Sequence, residues 1–396
     1  MKALEGFTHK PKICSGPGGR RRGRKEQPDC CKKLKTEGKH YETEKGYGPD
    51  TGRSNETTAA AAGADKETTA AAEDKETTAA AADSGSADAE VVLQVAFENS
   101  ITEPVGEGWT KAQEIIKEKS GGKMAIEVYP DSQLGDKSSL IDSMLLGENV
   151  CTLADGAFYA DYGVPDFGIV FGPFLFDNWD QCWTLIESDW YKEQCDKLEE
   201  KGLKIIASNW IYGERHTLTN VPVNTVEDLK GLKIRVPSNE IQSKGFDVLG
   251  ATSTGMALGD VYQALQTKTI DGAENPLATL YGRKLHEVAK YLILDGHVKN
   301  FTTWVVSADW FNSLTEEQQT WLLETASEAG EYNNEVQQAA EADYLQKMKD
   351  EGVTVVEPSE EVLAGFKEKA QPFYEMDFGW TDGLYDTVRA AMGANE

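Results

Sequence analysis

The stretch Val91-Val92-Leu93-Gln94-Val95-Ala96-Phe97 is an almost continuous apolar run, which predicts a buried β-strand. An amphipathic helical pattern extends from Trp109 to Lys119 and ends at Gly121-Gly122, because glycine favours a helix terminus. Lys123 to Tyr129 then alternates apolar and polar residues, as a second strand does. A strand, a helix and a strand in this order indicate a βαβ unit and therefore an α/β fold.

The same alternation continues toward the C-terminus. The sequence predicts a helix at 137–146 and further strands at 150–153, 203–207, 233–236, 291–294 and 301–306. Strands separated by helices favour largely parallel sheets with helices on both faces. Because about 306 residues exceed what one hydrophobic core usually holds, we expect two lobes. A ligand crevice should lie between them, beyond the carboxyl ends of the strands.

A long helix is predicted near the C-terminus. Thr315-Glu316-Glu317-Gln318 has the form of a capping box, in which the first and fourth residues satisfy each other's backbone N–H groups. Apolar residues then recur at helical spacing from Leu322 to Met348. We expect this helix to cross the molecule and pack on both lobes.

The first ninety residues differ in composition from the rest. Residues 1–54 are basic and poor in aliphatic side chains, so we expect them to be disordered. Residues 55–90 repeat a Glu-Thr-Thr-alanine pattern three times, which predicts a flexible tether. Tethers of this kind usually follow an export signal or a lipid-anchored cysteine, and residues 1–54 contain no recognisable example. We interpret 1–54 as an aberrant start, with a protein that is not exported as the alternative.

The charge of the chain excludes some partners. It carries 67 acidic and 40 basic residues, a formal net charge of -27, and the excess lies entirely in residues 91–396. Binding to nucleic acid or to an anionic membrane surface needs a basic patch, so neither is expected. The sequence contains no run of about 18 apolar residues, the length that a membrane span needs.

Motifs of common enzymes are absent from the sequence. There is no GxxxxGK[ST] or GxGxxG loop and no GxSxG elbow, and the three histidines after residue 90 lack metal-ligand spacing. We therefore expect no cofactor, and core or surface positions for His216, His286 and His297. The cysteines of this region are interpreted as small buried hydrophobes, with a Cys182–Cys195 disulfide as the alternative.

Arginine is rare in residues 91–396, which contain 20 lysines but only four arginines. Arg215 comes shortly after the predicted strand 203–207, and Arg235 ends the predicted strand 233–236. Both positions are where α/β folds place ligands. A guanidinium group matches a carboxylate with two parallel hydrogen bonds, which a lysine cannot do. The two arginines are therefore candidates for binding a carboxylate, and ordinary ion-paired surface arginines are the alternative.

The segment Gly231-Leu232-Lys233-Ile234-Arg235-Val236-Pro237 resembles the most diagnostic motif of the DctP-type solute-binding proteins of TRAP transporters. Other segments that resemble family motifs follow in family order over about 300 residues, and residues 1–90 lie outside the match. These segments are 129–135, 172–176, 213–215, 260–266 and 270–276.

The resemblance implies a two-lobed, type II-like periplasmic-binding-protein fold with a helix that spans both lobes. Lobe 1 would comprise about 91–212 and 302–340, and lobe 2 about 213–301 and 341–396. It implies a monomer outside the cytoplasm, in the periplasm or lipid-anchored at the outer face of the cell membrane. Such a protein captures a small organic acid and delivers it to the membrane permease subunits.

The resemblance also assigns three ligand contacts. The family grips the ligand carboxylate with the arginine at the position of Arg235. A second arginine, at the position of Arg215, commonly supports that carboxylate, and the asparagine at the position of Asn275 donates a hydrogen bond to it. Two fixed cations and an amide donor are also what a desolvated carboxylate needs physically.

Four further positions set specificity in the family. The sialic-acid-binding branch has Asn at the position of Glu98, Asp at Lys137, Glu at Asp155 and Phe at Leu258. Glu98 and Asp155 would accept hydrogen bonds from hydroxyl groups or an ammonium, and Lys137 could pair with either or with a second acid group. This mixture favours a sugar acid such as a hexuronate, with an amino-acid-like zwitterion second. Solvated acids near a strand end are the alternative for Glu98 and Asp155.

Two aromatic residues are further candidates for contact with a ligand. Trp210 and Phe174 could stack on a sugar ring, although packing in the core is the favoured role for both.

Two other functions are alternatives to a binding protein. The first alternative function is an enzyme, a lyase or hydrolase acting on sugar acids with Glu98 or Asp155 as the base. The second is a sensory ligand-binding module, but no transmembrane or signalling segment accompanies the chain.

Overall fold

The computed structural model describes residues 88–394. The predicted disordered segment 1–54 and the predicted tether, up to residue 87, lie outside the described residues. None of the helices in the described part has the length and apolarity to cross a membrane.

Within residues 88–394, nine strands form one sheet with the order β2-β1-β3-β8-β4-β7-β5-β6, and β9 pairs with β8. The strands are β1 Val91–Ala96, β2 Met124–Tyr129, β3 Val150–Ala154, β4 Leu203–Thr219, β5 Lys233–Val236, β6 Thr252–Gly255, β7 Gly272–Pro276, β8 Tyr291–Ser307 and β9 Thr354–Val356.

Helices cover the sheet and connect its strands. The α-helices of the described part are α1 Pro104–Ser120, α2 Lys137–Leu145, α3 Gly156–Asp161, α4 Trp179–Ile186, α5 Asp189–Glu200, α6 Glu240–Val248, α7 Val261–Gln266, α8 Leu277–Gly282, α9 Leu285–Val288, α10 Ala308–Ser313, α11 Glu316–Asp350, α12 Glu360–Ala370 and α13 Leu384–Ala391. The predicted α/β class is confirmed.

The βαβ unit at the start of the described part forms as predicted. Strands β1 and β2 pair in parallel, and α1 connects them. The helix begins at Pro104, five residues before the predicted start, because proline is tolerated in the first helical turn, where its missing N–H is not needed. It ends at Gly121, whose φ of 61° allows its N–H to bond back to the last turn.

Two long strands give the sheet a mixed character. The strand predicted at 203–207 continues to Thr219 as β4, and the strands predicted at 291–294 and 301–306 are one strand, β8. The prediction of largely parallel sheets is wrong at the centre, where β4 is antiparallel to both β7 and β8, and β3 is antiparallel to β8. Parallel pairs occur toward the two ends of the sheet and between β8 and β9.

The hydrophobic core is divided between two lobes that share β4 and β8. In the first lobe, Trp109, Trp210 and Trp304 pack together with ring centroids 3.9 to 5.2 Å apart. The second lobe has its own clusters, built around α7 to α9 and around β5 and α12. The two-lobed architecture agrees with the sequence-based expectation.

The C-terminal helix differs from the expected division of the chain. Leu384, Val388 and Met392, in and just after α13, pack in the same apolar cluster as Cys182 and Leu185 of α4, in the first lobe. The expected boundaries placed 341–396 in lobe 2. We therefore propose that the chain returns to lobe 1 from about residue 384.

The long helix α11 begins at Glu316 and is capped by Thr315, where the predicted capping box is present. Ala326 and Ala329 pack in the first lobe, whereas Met348 packs in the second. At its middle the helix is fixed to β4 by asparagines, since Asn334 accepts from the Ile211 N–H at 2.7 Å and Asn333 donates to the Ile211 carbonyl at 2.9 Å. The helix therefore spans both lobes and supplies hydrogen bonds where β4 is bulged.

The structure decides the expectations for two cysteines and two aromatic residues. Cys182 and Cys195 both carry free thiols, so the alternative of a disulfide between them is wrong. Trp210 is completely buried and donates from Nε1 to the Ala326 carbonyl at 2.9 Å, and Phe174 packs against Phe366. Both aromatic residues therefore belong to the core, as favoured from the sequence.

Candidate functional site

A cavity of about 370 Å³ lies between the lobes and is lined by all seven residues singled out in the sequence. The seven residues are Glu98, Lys137, Asp155, Arg215, Arg235, Leu258 and Asn275. Residues that are up to 177 positions apart in the sequence are thus brought together at one place.

The topology explains why they meet. Glu98 follows β1 and Asp155 follows β3, so both lie at carboxyl ends of strands in the first lobe. Arg235 lies in β5 and Asn275 in β7, which are neighbours in the second lobe. The cavity is therefore at the strand ends that α/β sheets use for ligands.

Arg235 is 2% exposed and retains free hydrogen-bonding capacity. Its Nε and Nη2 atoms donate to the Met256 carbonyl at 2.9 and 2.6 Å. A guanidinium group has five N–H donors. Within residues 88–394, the other three N–H groups of Arg235 have no hydrogen-bond acceptor. One edge of the Arg235 guanidinium is therefore fixed by the Met256 carbonyl, and its other N–H groups are available to a ligand carboxylate.

Arg215 is used mainly by the protein itself. Its Nε and Nη2 atoms hold the two carboxylate oxygens of Glu274 at 2.5 and 2.7 Å, and Nη1 donates to Asn300 Oδ1 at 3.0 Å. Nη2 also donates to the Glu274 carbonyl at 3.2 Å. Of its five N–H donors, one remains without an acceptor in the described part of the chain. Arg215 can thus supply less to a ligand than Arg235.

The environment of Glu274 keeps this ion pair charged. Burial favours the neutral acid, but Arg215 and His297 outweigh it and lower the pKa of Glu274 to about 2. His297 Nε2 lies 3.1 Å from Glu274 Oε2, and His297 Nδ1 lies 3.2 Å from Asp295 Oδ2. Burial alone would lower the pKa of His297, but Asp295 and Glu274 raise it to about 9. His297 is therefore a buried, charged core histidine that fixes Glu274 and, through it, Arg215.

Asn275 adds an amide donor to the cavity. Its side chain is 2% exposed, and its Nδ2 atom has no hydrogen-bond partner within residues 88–394. A buried amide without a partner costs about 1 to 3 kcal/mol. A ligand acceptor at this position would remove that cost.

The opposite wall, in the first lobe, carries the acidic residues. Asp155 caps α3 by accepting the Ala157 N–H at 3.1 Å, and it is 6% exposed. Burial raises the pKa of Asp155, while the charges of Lys137 and Arg215 oppose this. Lys137 lies with its Nζ atom 4.7 Å from the centre of the Phe158 ring. This wall combines an acceptor, a cation and an apolar face.

Glu98 and Leu258 come from different lobes and meet across the cavity. Glu98 Oε1 accepts the Leu258 N–H at 3.2 Å. Leu258 begins a short 3-10 helix after β6, and its side chain is buried. The contact closes one edge of the cavity.

Six lining residues were not identified in the sequence as site residues. Asn300 and Thr302 are two positions apart in β8, so their side chains lie on the same face of the strand. Two polar residues at this spacing within an otherwise apolar strand are a sequence signal that could have identified them as site residues. The side-chain oxygen of Gln242 is held by Asn239, the cap of α6. The six residues are Phe158, Tyr212, Pro237, Gln242, Asn300 and Thr302.

Comparison with proteins of known sequence gives several extended matches. The sialic acid-binding periplasmic protein SiaP of Vibrio cholerae is 29% identical over 297 residues, which cover 74% of this chain and 90% of that protein. The 2,3-diketo-L-gulonate-binding periplasmic protein YiaO of Escherichia coli is 30% identical over 274 residues, which cover 69% of this chain and 83% of YiaO.

Solved structures match equally well. A TRAP periplasmic solute-binding protein from Ochrobacterium anthropi with bound L-fuconate is 38% identical, with a TM-score of 0.74 over 76% of this chain and 99% of that one. A second, from Actinobacillus succinogenes with bound L-galactonate, is 33% identical, with a TM-score of 0.74 over 77% of this chain and all of that one.

The family model described as bacterial extracellular solute-binding protein, family 7, matches residues 95–378. The match covers both lobes and every residue identified as lining the cavity. The proteins of this family bind small carboxylate ligands outside the cytoplasm and are not enzymes. The chain therefore belongs to the DctP family, the periplasmic solute-binding proteins of TRAP transporters.

Proposed function

We propose that the protein captures a monocarboxylic sugar acid in the cavity between its lobes and delivers it to the membrane permease subunits of a TRAP transporter. The observation that carries this proposal is the open donor set of Arg235. Three N–H groups of a buried guanidinium, together with the unpartnered Asn275 amide, face one cavity. Buried charges and amides need partners, and a carboxylate satisfies both kinds of donor.

The other wall of the cavity suits a chain of hydroxyl groups. Glu98 and Asp155 are acceptors, whereas Lys137 is a donor, so hydroxyl groups can bond to all three. Lys137, Arg215 and Arg235 are balanced in number by Glu98, Asp155 and Glu274. A ligand with one negative charge therefore adds less repulsion than a dicarboxylate does. A hexuronate or an aldonate has the required single carboxylate and several hydroxyl groups.

Related proteins support this ligand class. The matched structures contain L-fuconate and L-galactonate, and another TRAP solute-binding protein, 28% identical, contains galactonate. Each of these ligands combines one carboxylate with a hydroxylated chain. In this chain we assign Arg235, Arg215 and Asn275 to the carboxylate, and Glu98, Asp155 and Lys137 to the hydroxyl groups, with Leu258 as an apolar wall.

We further propose that the protein acts as a monomer outside the cytoplasm, either free in the periplasm or lipid-anchored at the outer face of the cell membrane. The family supports an extracytoplasmic location. Delivery is tested by uptake of a radiolabelled sugar acid into cells that express this protein together with TRAP permease subunits. Uptake that is unchanged when the protein is omitted would contradict it.

A thermal-shift screen tests the ligand class. The panel contains L-fuconate, L-galactonate, D-galactonate, D-galacturonate, succinate and sialic acid. A ligand at 100 times its dissociation constant stabilises the folded protein by about 2.7 kcal/mol, which is easily detected. We expect aldonates or uronates to raise the melting temperature and to be recovered unchanged after incubation. Stabilisation by succinate alone, or by no member of the panel, contradicts the proposal, and turnover of a uronate would indicate an enzyme.

A further inference from the structure

A second contact between the lobes lies outside the walls of the ligand cavity and is centred on Glu103. Glu103 immediately precedes α1 in the first lobe and is 1% exposed. Its Oε2 atom accepts from Thr279 Oγ1, in α8 of the second lobe, at 3.0 Å. Glu103 and Thr279 do not line the cavity, and the cavity-lining Tyr212 connects to them through its hydroxyl oxygen, which accepts from Asn99 Nδ2 at 2.9 Å and from Thr279 Oγ1 at 3.3 Å.

The surroundings of Glu103 are closely packed on both sides. Within the first lobe, Asn99 Nδ2 donates to Oε2 at 2.6 Å and the Ser100 N–H donates to Oε1 at 2.9 Å. Asn99 Nδ2 also lies 3.1 Å from Thr279 Oγ1. On the second lobe, a Cβ atom added to Gly282 would lie 2.6 Å from Glu103 Cγ and 2.7 Å from Oε1. Only glycine at position 282 therefore lets the lobes approach this closely.

We propose that Glu103, Thr279 and Gly282 form an interlobe latch that engages when the ligand is captured and so positions the adjoining cavity wall. The inference rests on the proposed function, since capture is what brings the lobes together. Glu98, which lies in the cavity, and Glu103 belong to the same short segment between β1 and α1. Arg283 supports this segment by donating to the Glu98 carbonyl at 3.2 Å and to Asp131 at 2.9 Å. Seating Glu103 therefore places Glu98 against the ligand.

The latch has a consequence for pH. With the lobes arranged as in this structure, burial raises the pKa of Glu103 from 4.5 to about 7, against the hydrogen bonds from Ser100, Asn99 and Thr279 and the charge of Arg283. The other titratable groups that face it are Tyr212 of β4 and Tyr344 of α11, and Glu107 is the nearby acid on α1 itself.

Opening the lobes removes Thr279 and Gly282 and admits water to Glu103, so its pKa falls toward the ordinary value. Between pH 4.5 and 7, Glu103 is then mostly protonated in the closed form and mostly ionised in the open form. Closure, and with it ligand binding, should strengthen as the pH falls from about 7 to 4.5, and above pH 7 it should be weakest and no longer depend on the protonation of Glu103. A ligand carboxylate stays ionised down to about pH 5 and does not produce this trend.

Gly282→Ala tests the latch directly. Alanine favours a helix more than glycine does, so α8 should remain folded, while the added methyl group meets Glu103 only when the lobes close. We expect the affinity for L-galactonate or L-fuconate, measured by calorimetry, to fall at least about tenfold, mainly through faster dissociation. Gly365→Ala is the matched control, because a Cβ atom in that helix meets nothing within 4 Å.

Glu103→Gln tests the proton linkage. Wild-type affinity should weaken at least about tenfold between pH 5 and pH 8, and Glu103→Gln should remove most of this slope while still binding. Glu107→Gln, a change on the exposed side of the same helix, should keep the wild-type slope. A wild-type protein that binds sugar acids with Gly282→Ala and Glu103→Gln both unchanged overturns the latch alone. A wild-type protein that binds none of the sugar acids overturns both the latch and the proposed function.

Discussion

Replacing Arg235 with alanine should abolish tight ligand binding while leaving the fold intact. The wild-type side chain is fixed by two hydrogen bonds to the Met256 carbonyl and leaves three N–H donors for a carboxylate. In Arg235→Ala, the ligand carboxylate would remain buried beside Asn275 without its cation. No other arginine can replace it, because Arg215 has one free N–H and is neutralised by Glu274.

The magnitude follows from those donors. A hydrogen bond to a charged group contributes about 1.5 to 3 kcal/mol, and truncating one partner of a buried charged pair costs about 2 to 5 kcal/mol. Two such bonds to one carboxylate give a loss of about 3 to 5 kcal/mol, or about 150- to 5,000-fold in the dissociation constant. The folded protein itself should change little, since the loss of the hydrogen bonds to Met256 is offset by removal of a desolvated charge.

Calorimetric titration with the sugar acid that gives the largest thermal shift measures this effect. Arg389→Ala is the control, since Arg389 binds the Leu175 carbonyl and Asp177 away from the cavity and should leave affinity unchanged. Arg235→Lys should recover part of the loss only, because an ammonium cannot bond Met256 and a carboxylate in the same fork geometry. An Arg235→Ala protein that binds within about threefold of wild type would refute the assignment of Arg235 to the carboxylate.

Three further predictions concern stability and chemistry. Glu274→Gln should destabilise the fold by about 3 to 5 kcal/mol at neutral pH by leaving Arg215 unpaired, as measured by denaturant unfolding. The Glu274 contribution is complete above pH 4.5 and is lost as the pH falls toward 2, so the variant should also lack that part of the acid unfolding curve. Peptide mapping without reduction should recover Cys182 and Cys195 as free thiols, and a linked peptide would contradict the packing. Asn334→Ala should cost about 2 to 4 kcal/mol, because two backbone groups of β4 lose their partner, and an unchanged midpoint would argue against that role.

The parts of the fold that could be predicted from sequence are those fixed by local pattern. The apolar run of β1, the glycine that ends α1 and the capping box at Thr315 all act within a few residues. Arg215, Arg235 and Asn275 could be identified because they lie in segments that resemble family motifs, whereas Glu98, Lys137, Asp155 and Leu258 came from positions that differ from the sialic-acid-binding branch. All seven residues line one cavity, near the ends of strands.

The length of β4 could not be predicted, because its partners lie far away in sequence. Asn209 and Gly213 interrupt the apolar alternation and suggest a loop after residue 207. Asn209 instead donates to the Ser327 carbonyl of α11, and Asn334 of the same helix accepts the Ile211 N–H. More than a hundred residues separate these partners, so no local pattern contains the information.

The contact of Glu103 with the second lobe could not be predicted for a related reason. In the sequence it is an ordinary acid at the start of a helix, where negative charge is commonly found. Its burial depends on Thr279 and Gly282, which belong to the other lobe. The same holds for Arg215, whose strong pairing with Glu274 reduces the share of its donors that a ligand can use.

The bulged middle of β4 has a consequence for how the family could acquire new ligands. The register of β4 against β8 shifts between Arg215 and Thr217, so the arginine that we propose as a second carboxylate contact lies at an irregular point of a strand that both lobes share. A substitution of Arg215 would change both a ligand contact and a strand that the two lobes share. We therefore expect selection to remove most substitutions at this position. The other cavity residues lie at the ends of short elements: Glu98 and Asp155 follow β1 and β3, Lys137 is the first residue of α2, and Leu258 begins the 3-10 helix after β6. We therefore expect changes of ligand within the family to occur mainly at these four positions, while Arg215 and the shared strand β4 stay unchanged.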